Sequence, residues 1–293
     1  CMKMHCPDTV ETLSTHGYHQ AMRELNADGR VRFTGASHHG SFWLRSPEAT
    51  MESILGAAAE DGRFDVFLLA YNFLQMDASE KILRLCREKK IGAALMKTTP
   101  VNTFNKIKSR VDQLMEEGKD IHPLYKDGLD NYTEMLERAQ DFLKRNNLED
   151  PTEIKQAAVL FVLNNPDVHT VCATTRNFEE LDLWLSLSGR KLQASQKALL
   201  DAYERNCGRL YCRHACGLCE PSCPHQVPVN TIMRYFHYFT AQGREREAME
   251  RYSRLTGVAE SCRYCEGHCI RACPNGLPIQ AMMMLAHNQL AIV

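Results

Sequence analysis

From Cys1 to about residue 190, short apolar runs alternate with longer amphipathic stretches. Five short runs, Cys1–His5, Val31–Ser37, Val66–Tyr71, Ala93–Lys97 and Thr170–Ala173, predict β-strands. They are mostly apolar, as expected of parallel strands covered on both faces. Between and after them, apolar positions recur at helical spacing over His19–Leu25, Pro47–Ala59, Ser79–Lys89, Glu153–Leu163 and Phe178–Leu187. Asp28-Gly29 closes one helix, and Asp150-Pro151 opens another with an N-cap and an N1 proline. Strand and helix in alternation is the pattern of an α/β domain. The interval between the fourth and fifth strands is longer than the others and carries two further helical runs, about Phe104–Glu117 and Asn131–Arg145. It reads as an insertion, either a surface elaboration or a flap or docking surface over the strand ends.

Beyond residue 190 the strand pattern stops. Leu192–Asn206 predicts a connecting helix, Val229–Leu255 a second and Ile279–Leu290 a third. In the second, Ile232, Phe236 and Phe239 share one face, while Arg244, Arg246, Arg251 and Arg254 share another. The predicted organisation is residues 1–190 as an α/β portion, 191–206 as a connecting helix and 207–293 as a small all-α domain. Repeated βα units make either a doubly wound sheet or a barrel, and periodicity leaves both open. No Gly-x-Gly-x-x-Gly run follows any strand, which counts against a dinucleotide-binding sheet.

The cysteines change this picture most. Of thirteen, eight form two quartets, Cys212, Cys216, Cys219, Cys223 before Pro224 and Cys262, Cys265, Cys269, Cys273 before Pro274. Each spans twelve residues, so its sulfurs can converge on one small inorganic object. Four cysteines also suit zinc, but zinc sites usually pair two Cys-x-x-Cys knuckles across a longer gap. The spacing points to two 4Fe–4S clusters. In two-cluster ferredoxins the cysteine before proline binds the other cluster, which predicts one site from Cys212, Cys216, Cys219 and Cys273 and another from Cys262, Cys265, Cys269 and Cys223. Each quartet has one three-residue gap where two is commoner, and Cys207 is a substitute ligand or a helix-end cysteine. Cys1, Cys6, Cys86 and Cys172 lack ligand spacing and read as small core residues. Met282–Met284 reads as helix packing.

Residues 207–293 hold nine Arg, no Lys and six acids, a surplus that either offsets an anionic cluster or forms a solvated helix face. Over the whole chain of 293 residues, 35 Lys and Arg meet 36 Asp and Glu, so charge gives no reason to expect nucleic acid as a partner. No run of 18 apolar residues predicts a membrane span, and clustered cysteines without a visible export signal predict a reducing compartment, the cytoplasm by default. The first residue is Cys and already looks like strand, so an upstream continuation is expected.

The strand-end motifs resemble those of the aldo-keto reductases, (β/α)8 barrels that use NADPH. Met4-His5-Cys6-Pro7 looks like the family's fourth strand with its active-site histidine, and Val31 to Ser37 like the fifth with its Gly-x-Ser. Ala70-Tyr71-Asn72 resembles the sixth, Leu95-Met96-Lys97 the seventh, and Val171 to Asn177 with Glu179-Glu180 the eighth strand and its cofactor loop. With the cysteine tail, the whole chain looks like the family's ferredoxin-bearing branch. The resemblance implies a partial TIM barrel, about its last five βα units, followed by a ferredoxin-like domain. It implies that His5 hydrogen-bonds a carbonyl under reduction, that Ser37 meets the nicotinamide amide, that Thr174, Thr175 and Arg176 serve the adenosine 2′-phosphate, and that His38, Lys97 and Glu180 belong to the same NADP(H) site. The family's catalytic Tyr, Lys and Asp lie on strands before the histidine strand. Leu68, His38 and Trp184 stand where the family has Gln, Asn and often Asn.

Two functions follow. One is an oxidoreductase of aldo-keto reductase type, acting on a small carbonyl or alcohol with NADP(H) and passing electrons through the clusters. The other is an electron-transfer protein whose degenerate barrel docks a redox partner protein. Hydride carries two electrons and a cube passes one, and the flavin that normally couples them has no motif here. A zinc-stabilised binding protein is the remaining reading. Five βα units also fall short of eight, by roughly 90 residues at about 250 per barrel. The expectation is a truncated chain or an open half-barrel that needs a partner.

Overall fold

The computed structural model describes residues 1–39, 49–101, 104–117, 123–214 and 216–291. They divide into two compact units, each discontinuous in sequence. Unit 1 comprises Cys1–Pro100, Thr152–Asp201 and Arg213–Cys216; unit 2 comprises Val101–Pro151, Ala202–Cys212 and Gly217–Val293.

Unit 1 is built on five parallel strands, β1 (Met2–His5), β2 (Thr34–His38), β3 (Val66–Ala70), β4 (Gly92–Met96) and β5 (Thr170–Val171). Their spatial order is their chain order. Helices α1 (His16–Ala27), α2 (Met51–Asp61) and α3 (Asp77–Lys89) fill the first three connections. Local chemistry sets their ends. Thr50 caps α2 by accepting the Ser53 N–H at 3.1 Å, and Gly62 ends it at φ 75°, a left-handed turn that suits a residue without Cβ. Of the helices between β4 and β5, α4 (Phe104–Glu117) and α5 (Pro123–Arg145) fall in unit 2 and α6 (Thr152–Leu163) in unit 1, where α7 (Phe178–Ser186) follows β5.

The ladder matches Met4 with Ala36, Ala36 with Phe67 and Phe67 with Ala93, all four buried. These alternate positions share a core with Ile54, Leu55 and Ala58 of α2 and Ile82, Leu83 and Cys86 of α3. Each fully buried Leu or Ile contributes about 1.5–3 kcal/mol, so this face drives assembly of the unit. The intervening positions are only partly covered, burial alternating along β3 and β4. Among the described residues, β2 is covered on both faces as expected, being buried at four successive positions from Gly35 to His38, whereas β1, β3 and β4 are fully buried on one face only. Being at the two margins of the sheet, Cys1 and Cys172 are exposed rather than core residues, whereas Cys6 and Cys86 are buried.

Unit 2 is helical. α12 (Ile279–Leu290) runs through its middle, buried at every position from Ile279 to Ala286, and packs on α9 (Val229–Gln242), α10 (Glu245–Tyr252) and α5. Met282, Met283 and Met284 fill that packing, as expected of gap-filling thioethers. The stretch read as an insertion belongs here: Leu129, Tyr132, Leu136 and Ala139 make a fully buried stripe on α5 at helical spacing. It is part of the helical unit's core, not a surface elaboration or a flap. The single helix expected over Val229–Leu255 is two, because Gly243 at φ 64° ends α9. The division between units falls inside α8 (Ala194–Cys207). Among the described residues, no helix is long and apolar enough to cross a membrane.

Tyr252 anchors this unit. Its hydroxyl accepts the Ala259 N–H at 2.9 Å and lies 2.7 Å from His287 Nδ1. Tyr252→Phe should cost about 1–3 kcal/mol, measurable by denaturant unfolding, because it orphans a buried N–H. Burial holds the His287 pKa below its usual 6.5, so the unfolded chain binds more protons. This contribution is complete above about pH 6.5 and lost as pH falls below it; His287→Gln should flatten that part of the pH–stability curve.

Candidate metal centre

Seven of the eight quartet cysteines lie in unit 2, where they repeat a local frame; Cys216 falls in the Arg213–Cys216 segment of unit 1. Cys212, Cys219 and Cys223 recur fifty residues on as Cys262, Cys269 and Cys273, while the second cysteine is displaced by one. Each Cys-Pro leads into a turn and a helix with the same bonds. The Gln226 N–H donates to Cys223 O at 3.1 Å and Gly276 N–H to Cys273 O at 3.1 Å; Val229 N–H donates to Val227 O and Ile279 N–H to Leu277 O, both at 2.9 Å. Gln226 and Gly276 both take left-handed backbone, φ 51° and 60°. Pro228 and Pro278 then occupy the N-cap positions of α9 and α12.

A cavity at the second quartet is lined by Cys262, Cys265 and Cys269 and, from the first quartet, Cys223. Pro224, Val227, Val229 and Met283 supply apolar wall, His225 and His268 polar wall. Burial and then the neighbouring thiols push Cys262 up to about 12; the same causes push Cys269 up to about 11. Cys223 acts on both, so the crossover cysteine is close in charge terms as well as in shape. Cys262 and Cys269, held protonated by burial in a shared thiol cavity, need cations to hold them as thiolates.

The spread of these donors bears on which metal. At a Zn–S length of about 2.3 Å, tetrahedral sulfurs lie about 3.8 Å apart. The four cavity thiols contain no set of three within 4.8 Å of one another; among the described residues such a group is made by His5, Cys6 and His39. A cube takes one thiolate at each of four iron corners and needs the wider spread. The four thiols that line this cavity are a donor set that could hold a metal cluster.

Supporting bonds hold the cavity's rim. Gln280, 4 % exposed, donates through Nε2 to Cys262 O at 2.9 Å and Cys265 O at 2.6 Å. The Val227 N–H donates to Cys223 Sγ at 3.4 Å. At the equivalent place in the first quartet, Asn230 Nδ2 lies 3.5 Å from Cys212 Sγ. Glu220, between Cys219 and Cys223, is pushed up to about 7 by burial, although Asn230 N–H donates to it at 2.8 Å. Neither Asn230 nor Gln280 stood out in sequence; the signal was their shared place one residue into the helix after each Cys-Pro. Cys207 is 1 % exposed and its thiol is raised to about 12 by burial alone, with no neighbouring thiol among the causes. On α10, Arg244 pairs with Glu247, Arg251 with Glu247 at 2.8 Å and Arg246 with Glu250 at 3.0 Å, which makes these arginines a paired helix surface.

The barrel-derived expectations fall in unit 1 in two groups. His5 ends β1, exposed, with Nδ1 2.9 Å from the Oγ of fully buried Ser37. His38 is fully buried at the end of β2, and Lys97 follows β4 with φ 59°, its carbonyl accepting from Asn72 Nδ2 at 2.9 Å. The second group is the exposed loop after β5. Thr174 O accepts Trp184 Nε1–H at 3.2 Å, and Arg176 is bonded to Glu180 through both its backbone N–H at 2.7 Å and its guanidinium at 3.2 Å. Asn177 caps α7 by accepting Glu180 N–H at 2.8 Å. The guanidinium assigned to a phosphate thus has an internal carboxylate partner.

No protein-family model matches the chain, and no curated protein matches it.

Proposed function

We propose that the chain is an iron–sulfur electron-transfer protein of the oxidoreductase class, with two 4Fe–4S clusters held by its two cysteine quartets. The observation that carries this reading is the cavity that joins Cys223 to Cys262, Cys265 and Cys269. It is the ligand set expected when the cysteine before proline serves the other quartet's site. The repeated frame extends the assignment to Cys212, Cys219 and Cys273, with Cys216 added by spacing. When bound, each cluster passes one electron at a time. The protein's part is to hold four thiolates at each site, direct Val227 N–H and Asn230 Nδ2 at sulfur, fix the Cys262–Cys265 loop through Gln280 and keep water from the apolar wall.

The strand order supports the reading of unit 1 as part of a (β/α)8 barrel. Doubly wound sheets reverse their strand order at a switch point, and these five strands run in sequence without one. A second reading, NADP(H)-dependent redox of a carbonyl or alcohol, is favoured by one observation. His5 emerges exposed at the C-terminal end of β1 with its ring oriented by Ser37, where a barrel enzyme presents catalytic groups.

Protein purified without oxygen should be brown, with about eight irons and eight sulfides per chain. A colourless protein holding two zinc ions would sink the cluster proposal. NADPH titration of that protein decides the second reading: saturable binding weakened by Arg176→Ala supports it, and no saturable binding removes it.

A further inference from the structure

We propose that His5, Cys6 and His39 form a binding site for a single zinc ion at the C-terminal end of β1 and β2, independent of the iron–sulfur clusters. One donor atom from each residue lies within 4.8 Å of the others. The ladder explains how they meet: His5 is matched with Ser37, and the Cys6 N–H donates to Ser37 O at 2.8 Å. His39 follows directly after the end of β2. The His5 and His39 rings stand 5.4 Å apart, tilted by 49°.

Three features distinguish this cluster from side chains that merely share a strand end. Cys6 and His39 are each 6 % exposed, so the site is shielded while exposed His5 gives it an entrance. Cys6 has φ 46°, a left-handed conformation rare for a residue with a Cβ and further disfavoured before Pro7. Such a conformation persists where the surroundings hold it, and it turns the thiol towards the two imidazoles. Finally, Ser37 Oγ lies 2.9 Å from His5 Nδ1, an outer hydrogen bond of the kind that orients a ligating imidazole.

Two imidazoles and one thiolate make a borderline-soft set suited to zinc, and three protein ligands leave a fourth position for water or a carbonyl oxygen. A cation there also stabilises the buried thiolate of Cys6. The site goes beyond electron transfer: it supplies a Lewis acid at the strand ends without any nicotinamide cofactor.

The test uses cluster-loaded protein handled without oxygen, given one equivalent of Zn2+, with zinc-edge X-ray absorption and iron content read on the same sample. The expected shell holds one sulfur and two imidazole nitrogens, with iron unchanged. Cys6→Ser, a near-isosteric change, should remove the sulfur scatterer. Ser37→Ala should weaken binding roughly tenfold by chelator competition while the shell stays the same. An all-sulfur shell with iron lost, no binding at one equivalent, or a shell unchanged by Cys6→Ser would each overturn the proposal.

Discussion

Cys223→Ala protein, purified without oxygen, should retain about four irons per chain where the parent holds about eight. The cluster it loses should be the one that Cys262→Ala also loses. This pairing is not what linear spacing alone would give, since Cys223 closes the first quartet and Cys262 opens the second. It follows from the cavity, whose wall takes Cys223 together with Cys262, Cys265 and Cys269. It also follows from the thiols' mutual influence, since Cys223 raises both Cys262 and Cys269. By the repeated frame, Cys273→Ala and Cys212→Ala should share the complementary loss. Low-temperature EPR of the reduced proteins reads which signal remains. If Cys223→Ala instead leaves the same signal as Cys212→Ala, each quartet closes on itself and the crossover is wrong. Because metal binding at such sites is coupled to folding, each loss should also destabilise unit 2 by more than about 4 kcal/mol.

The shared cavity of Cys223, Cys262, Cys265 and Cys269 was legible because ligands of the proposed clusters must follow a restricted spacing. Cysteines must lie close along the chain, and proline after the last marks the crossover. The strands were legible for a different reason: short apolar runs between turn residues give Val66–Ala70 and Gly92–Met96 to within a residue. The bounds of Phe104–Glu117 and Ile279–Leu290 follow from helical period alone. What period does not encode is the partner of an apolar stripe. Leu129, Tyr132, Leu136 and Ala139 announce a face that must be buried, but α5 meets α12 through tertiary packing that no local pattern specifies. Gly243 was readable as a helix stop and was outweighed by the apolar and arginine faces on either side of it. His39 was hidden by its neighbour: His38 ends β2 and is the residue that the resemblance singles out, whereas the group with His5 and Cys6 contains His39, the next residue. Polar residues such as Gln280, in a helix otherwise apolar for eight residues, carry a signal only once burial is known.

Gln280→Leu should destabilise unit 2 by about 2–4 kcal/mol, although it nearly preserves volume and removes no cysteine. One side-chain amide serves two carbonyls here, those of Cys262 and Cys265. Each buried acceptor left without its donor costs about 1–3 kcal/mol, and Cys262 O is the less affected because the Cys265 N–H also reaches it at 3.4 Å. At about 2–4 °C per kcal/mol for a chain of this size, thermal melts resolve the effect. Gln280→Glu should be worse near neutral pH, since a carboxylate facing two carbonyls offers no donor, and should partly recover towards acid pH, where the protonated form donates again. The change acts on the loop that carries two ligands, so iron release to a chelator should quicken from the second site before the first. Asn230→Ala is the contrasting variant: its amide meets Cys212 Sγ itself at 3.5 Å, so its removal should lower the reduction potential of the first cluster. A Gln280 variant that melts and releases iron like the parent would mean that the two hydrogen bonds contribute nothing net. The loop would then be held by its thiolates and the apolar wall alone.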